Sequence, residues 1–226
     1  MSKIGNIKLI HDALKKKYKD YNHCNKSNPL NELVYILLSV QTSERSYQKS
    51  YLAFKRYFPK HIDILNADEN DIQDVIRHSG LSGQRAAAIK QSLSIINSRF
   101  NKPSLAPLNK LNDKEVEEFL VSLPRVGTKV ARCIMMYSLD RKVFPVDTHV
   151  WRISRRIGWV RRTRKDFECR KKDMDRLQNK IPPNLMHSLH VNMVSLGKEI
   201  CTARSPQCYL CPIENYCRKI GAQNNR

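Results

Sequence analysis

Leu123-Pro124-Arg125-Val126-Gly127-Thr128-Lys129-Val130-Ala131 stops one helical pattern and starts another. Before it, Asn112 and Glu115 carry the spacing of a capping box, and Val116, Phe119, Leu120 and Leu123 follow at i, i+3, i+4 and i+7. Pro124 fixes its own backbone and cannot continue the ladder, while Gly127 lets the chain turn tightly. After the break, the apolar spacing predicts a new helix from about Thr128 to Ser138.

The same period extends outward on both sides. Asn28-Pro29 reads as an N-cap and first helical residue, followed by Leu30, Leu33, Val34 and Leu37. That helix is apolar almost all round through Leu38, which places it centrally in a core. Ser39, Gln41, Thr42, Ser43 and Glu44 form a polar break, and the next helix carries Tyr47, Tyr51, Phe54 and Phe58 until Pro59 ends it. Asp68 is expected to cap a short helix with Ile72, Val75 and Ile76, stopped at Gly80. Gln84 to Phe100 repeats the helical spacing through Ile89, Leu93, Ile96 and Phe100. Toward the C-terminus, Val143-Phe144-Pro145-Val146 is extended, since a residue before proline avoids the helical region. Asp147 then opens a helix with Val150, Ile153 and Ile157, and Leu185 to Glu199 forms the last long one. No segment alternates as a strand does, so the expected fold class is all-α.

The chain has 226 residues, room for one large or two small domains. Its 41 Lys+Arg against 21 Asp+Glu leave a net charge of +20. Such an excess repels itself unless a polyanion answers it, and nucleic acid is the usual one. A solvated lysine surface is the blander alternative. Arg152, Arg155, Arg156, Arg161, Arg162, Arg164 and Lys165 make the most basic stretch. With no run of 18 apolar residues and no apolar segment after the start, neither a membrane span nor a secretory signal is expected. Seven cysteines without such a signal suit a reducing, intracellular setting.

Four of those cysteines, Cys201, Cys208, Cys211 and Cys217, are spaced C-x6-C-x2-C-x5-C. Four thiolates in so short a segment can close around one compact inorganic centre, and soft sulfur selects zinc, copper(I) or iron–sulfur. Structural zinc sites normally show two tight pairs, and only Cys208 and Cys211 form one here. Spacing alone leaves zinc and an iron–sulfur cluster open, with disulfide pairing third. Cys24, Cys133 and Cys169 are scattered and read as packing residues.

The segment from Leu123 to Ala131 looks like a helix–hairpin–helix element, and Val146-Asp147-Thr148-His149 resembles the loop and aspartate that accompany it. With the cysteine spacing, the chain resembles the endonuclease III family of DNA base-excision glycosylases, whose four-cysteine tail holds a [4Fe-4S] cluster. The likeness runs from about Asn28 to Cys217, and three signals in one order are far more specific than any one. It implies two lobes: a six-helix barrel with the hairpin over 28–141, and a cluster domain joining 1–27 to 142–226. It also makes Cys201, Cys208, Cys211 and Cys217 the ligands of a 4Fe–4S cluster. That cluster would shape a basic, phosphate-facing loop with Lys198, Arg204, Arg218 and Lys219.

The resemblance assigns further roles. The lysine matching Lys129 attacks the sugar C1′ carbon, displaces the base and forms a Schiff base, which implies a bifunctional glycosylase/AP lyase. A lysine ordinarily titrates near ~10.4, and a helix N-terminus, cationic neighbours and desolvation each favour the neutral amine. On the residues alone, a phosphate contact is the simpler reading of Lys129. The aspartate matching Asp147 stabilises positive charge on the sugar; on the residues alone it caps a helix. Pro124, Arg125, Val126, Gly127 and Thr128 form the DNA-binding hairpin, whose N–H groups suit a phosphate. Where the family has glycine this chain has Arg125, which is strained if its φ is positive and otherwise free to add a phosphate contact. His149 reads as a loop-orienting DNA-side residue or as packing. Gln41 and Leu81 match residues that fill the gap left by a flipped nucleotide; a cap and a helix-end staple are their simpler readings. The implied partner is double-stranded DNA with damaged bases, oxidised pyrimidines by family default, or abasic sites, bound by a monomer. Thr128-Lys129-Val130-Ala131 with Asp147 and Trp151 also resembles 8-oxoguanine glycosylases, and Phe144-Pro145-Val146-Asp147 resembles plant 5-methylcytosine glycosylases. A non-catalytic DNA-binding metalloprotein is the rival from another class.

Overall fold

A computed structural model of the chain describes residues 3–160 and 169–222, with side chains from Asn6 onward. Arg161, Arg162, Arg164 and Lys165 of the basic stretch lie outside the described residues. The α-helices are, in chain order, α1 (Lys3–Tyr18), α2 (Pro29–Ser39), α3 (Glu44–Tyr57), α4 (His61–Asn66), α5 (Glu69–Val75), α6 (Ser82–Phe100), α7 (Asp113–Val121), α8 (Thr128–Ser138), α9 (Thr148–Ile157), α10 (Lys171–Gln178) and α11 (Met186–Glu199). No strand occurs among the described residues, so the fold is all-α as expected. The chain divides into two compact units, Asn25–Arg141 and Met1–Cys24 with Lys142–Arg226.

In the Asn25–Arg141 unit, α2 is the central helix. Asn28 Oδ1 accepts from the amides of Leu30 at 3.1 Å and Asn31 at 3.0 Å, with Pro29 at the first helical position. Those bonds satisfy amides that a helix start leaves unpaired. Leu30 and the residues from Glu32 to Leu38 are all buried, and α3, α6 and α8 pack around them. The α7 capping box forms as read, with Asn112 Oδ1 accepting from Glu115 N at 3.0 Å and Glu115 Oε2 from Asn112 N at 2.9 Å. Asp68 precedes α5 as expected, but its side chain makes no capping bond. That helix is held by burial of Ile72 and Ile76 instead. The short α4 was not foreseen, because Ile64 is its one buried residue and sets no period.

In the other unit, α11 is the core element, buried from Met186 to Gly197 except at His187, with α1 and α9 against it. Ile7, Ile10 and Leu14 of α1 join that core. Polar side chains fix the register of α1: His11 Nε2 lies 2.9 Å from Ser188 Oγ, and Asn192 Nδ2 donates to Asp20 Oδ1 at 2.8 Å. α10 also went unforeseen, since it buries only Met174 and Leu177 in a run of charges.

Candidate functional site

The predicted hairpin lies between α7 and α8, which are joined by a part-buried ion pair, Arg132 Nε to Glu117 Oε2 at 2.7 Å. Leu123 and Val126 turn inward and anchor the connection, with Val126 N donating to Leu123 O at 3.1 Å. Arg125 between them has φ +61°, so the strained alternative holds. Its guanidinium donates through Nη1 to Gln84 Oε1 at 2.8 Å. Gly127 caps α8 in an extended conformation, and a Cβ there would meet nothing within 4 Å. Nothing among the described residues therefore demands glycine; close approach from outside would.

Lys129 is the second residue of α8 and is partly exposed, as are Pro124 and Thr128. Beneath it, on α2, is a residue that the sequence reading missed. Glu32 is fully buried and accepts from Asn25 Nδ2 at 2.5 Å and Lys26 N at 2.6 Å. Burial pushes its carboxyl up to about 6, against the opposing pull of those two bonds and of the charges on Lys26 and Lys129. A lone acid on an otherwise apolar helix was the available signal. Gln41 and Leu81, the proposed gap fillers, are both exposed, on turns that follow α2 and precede α6.

In the other unit, Asp147 caps α9 with Oδ1 accepting from Val150 N at 2.8 Å. His149 makes internal contacts: its Nδ1 lies 3.0 Å from Arg152 Nη2, and its ring presses on Gly197. A Cβ at residue 197 would sit 2.6 Å from His149 Cβ, so only glycine fits there. Burial lowers the His149 pKa, against the attraction of Asp147, which favours the neutral ring.

Arg152 and Arg156, part of the most basic stretch of the sequence, turn inward on the α9 face that meets the cysteine loop. Arg152 donates to Cys201 O and Gly197 O, both at 2.8 Å. Arg156 is 5% exposed and donates to Cys201 Sγ at 3.1 Å, Thr202 O at 2.7 Å and Ala203 O at 3.1 Å. They run from the Asp147 helix to the first of the clustered cysteines.

Cys201, Cys208, Cys211 and Cys217 are unbridged thiols lining one cavity, walled by Ile153, Ile157, Leu196, Ile200 and Ile213. Burial and the neighbouring thiols push Cys211 up to about 11 and raise Cys217, which disfavours both thiolates until a cationic centre offsets their charge. Among the described residues, no three His, Cys, Asp or Glu side chains converge on a single ion. Four sulfurs around a shared apolar cavity, with N–H donors from Arg156 and the Lys219 backbone, suit the larger iron–sulfur centre. Cys133 is buried as expected of a packing residue, whereas Cys24 lies exposed.

Residues 34–182 match the model of the HhH-GPD superfamily base excision DNA repair protein. The chain belongs to that superfamily. Residues 201–217, which begin and end on cysteine, match the iron–sulfur binding domain of endonuclease III. The two matches place this HhH-GPD protein in the endonuclease III family of DNA glycosylases, with a 4Fe–4S cluster as its cofactor. It is similar to an Arabidopsis thaliana protein provisionally named a DNA glycosylase, 35% identical over 186 residues that make up 82% of this chain and 62% of that one. It is also similar to endonuclease III of Thermotoga maritima, 28% identical over 197 residues, 87% of this chain and 85% of that enzyme. The chain thus spans less than two thirds of the Arabidopsis protein. A solved non-covalent endonuclease III–DNA complex has the same fold, with a TM-score of 0.81 at 24% identity over 97% of both chains. No described helix is long and apolar enough to cross a membrane.

Proposed function

We propose that the protein is a bifunctional glycosylase/AP lyase acting as an intracellular monomer on double-stranded DNA that carries damaged bases, oxidised pyrimidines foremost, or abasic sites. In this reading residues 28–141 form the barrel, and 1–27 with 142–226 the cluster domain. Cys201, Cys208, Cys211 and Cys217 hold the cluster, which supplies a rigid fold for its loop and takes no part in the base chemistry. The observation that carries the reading is the position of Lys129, partly exposed on the first turn of α8 directly after the hairpin. The positive end of that helix opposes a second positive charge on its first turn.

Lys129 Nζ forms a bond to C1′ while the base leaves with the electrons of the glycosidic bond. The nitrogen loses a proton as the sugar ring opens to an imine. Removal of a proton from C2′ then breaks the C3′–O bond and releases the 3′ strand with its phosphate. Asp147 offsets the charge that develops on the sugar, from a carboxylate that its capping bond to Val150 fixes at the start of α9. Hairpin amides and Arg125 hold phosphate, with Pro124, Val126, Gly127 and Thr128 setting the turn. His149 supports the Asp147 loop from within. Gln41 and Leu81 occupy the space of the flipped nucleotide, offsetting part of an unstacking cost of a few kcal/mol.

Borohydride trapping on an abasic-site duplex tests this directly. Wild type should give a covalent adduct and Lys129→Ala none. An adduct of equal yield from the variant would remove this lysine from the mechanism. A panel of lesion duplexes, including 8-oxoguanine and 5-methylcytosine, then fixes the base excised.

A further inference from the structure

Besides Asn101 and Asp140, which follow the ends of α6 and α8, three exposed residues of the Asn25–Arg141 unit have left-handed backbone: φ is +53° at Gln41, +48° at Leu81 and +61° at Arg125. Side chains with a Cβ rarely adopt this conformation, and it persists only where the surroundings over-determine it. Here the surroundings meet at the first turn of α6. Arg85, 3% exposed, donates to the carbonyls of Leu38 and Val40 and, at 2.7 Å, to Thr42 Oγ1. Thr42 Oγ1 donates in turn to Ser79 O at 2.7 Å. One guanidinium therefore grips the residues flanking Gln41 and, through Thr42, the turn leading to Leu81. Gln84 beside it accepts from Arg125 and ties in the hairpin. A buried arginine normally faces a carboxylate; Arg85 spends its donors on loop oxygens, which a lysine could not fork between.

We propose that Arg85 is a positioning residue that presets Gln41 and Leu81 as one rigid wedge for the gap left by an everted nucleotide. The proposal rests on the gap-filling reading of Gln41 and Leu81 above. A wedge matters only where a base must leave a stack, so its loss should damage duplex activity and spare single strands.

The test uses the full chain with its cluster. Strand cleavage at an abasic site is measured in duplex and in single-stranded DNA for wild type, Arg85→Met, Arg85→Lys and Thr42→Val. Unstacking on binding is read separately by 2-aminopurine fluorescence beside the site. Arg85→Met should lower duplex cleavage roughly 10- to 100-fold, as ångström-scale misplacement does, with single-strand cleavage little changed and the fluorescence rise lost. Arg85→Lys should fall between, and Thr42→Val should lower the duplex-to-single-strand ratio less. Equal losses on both substrates, or an unchanged ratio in a folded Thr42→Val, would overturn the proposal. If Arg85→Met does not fold, Thr42→Val decides. If wild type cleaves neither substrate, the lyase reading fails, and the fluorescence arm alone judges the wedge: a rise kept by the folded variants refutes it.

Discussion

In the Asn25–Arg141 unit, Gln41, Leu81 and Arg125 stand on left-handed backbone held by helix packing and one buried guanidinium. In the other unit, Asp147 stands on an ordinary helix cap, and its helix is strapped by Arg152 and Arg156 to the loop of the four cysteines. The first arrangement stores its geometry in turns that need no cofactor. The second packs on α11 but is also tied to a loop that the cluster would organise. Loss of the cluster should therefore divide the molecule. Chelation of the iron should cost on the order of 10 kcal/mol, the scale of structural metal sites, and Cys211→Ser a part of that. Hydrogen exchange should show protection lost in α9 and the end of α11 and kept in α2, α6 and α8. Uniform loss across both units would break the comparison.

A smaller effect belongs to the cofactor-independent unit. Burial lifts Glu32 from 4.5 to about 6, so the folded protein holds this proton more tightly than the unfolded chain. Its contribution is fully present below pH 4.5 and is lost as pH rises through about 6. That difference is worth about 2 kcal/mol at 1.36 kcal/mol per unit. Urea unfolding at a series of pH values should show Glu32→Gln gaining on wild type across this window. A constant gap between the two would mean that the carboxylate keeps its unfolded affinity for protons.

What could be read in the sequence follows from how far each signal reaches. Asn28-Pro29, the Asn112–Glu115 box, the start of α8 and the Asp147 cap are contacts between near neighbours, and all were legible. So was the cysteine spacing, since all four line one cavity. Glu32, Arg85 and Arg156 were not, because their partners depend on which helix faces meet. Arg156 in particular looks like surface charge until α9 packs on α11. α4 and α10 escaped because one or two buried side chains set no period. Asp68 shows the converse: a favoured capping residue at the right place that makes no bond.

The smallest effect concerns Arg125, where the first unit's stored strain is most exposed. A left-handed residue with a Cβ is disfavoured by about 1–2 kcal/mol, and glycine would remove that cost. Glycine also loses more entropy on folding, roughly 0.5–1 kcal/mol, and Arg125→Gly would forfeit the exposed bond to Gln84. The net gain in stability should be about 0.5 kcal/mol. If strain were the whole account, the variant would simply be the better protein. But it also removes a cation from the hairpin, so DNA affinity should drop and the slope of log affinity against log salt should shrink by about one. Anisotropy titrations of duplex DNA over a salt series read both. A stabilised variant with the wild-type slope would show that Arg125 touches no phosphate and that the tie to Gln84 is the sole return on its strain. A stabilised variant with the shallower slope would show strain held for binding, as the left-handed turns at Gln41 and Leu81 suggest.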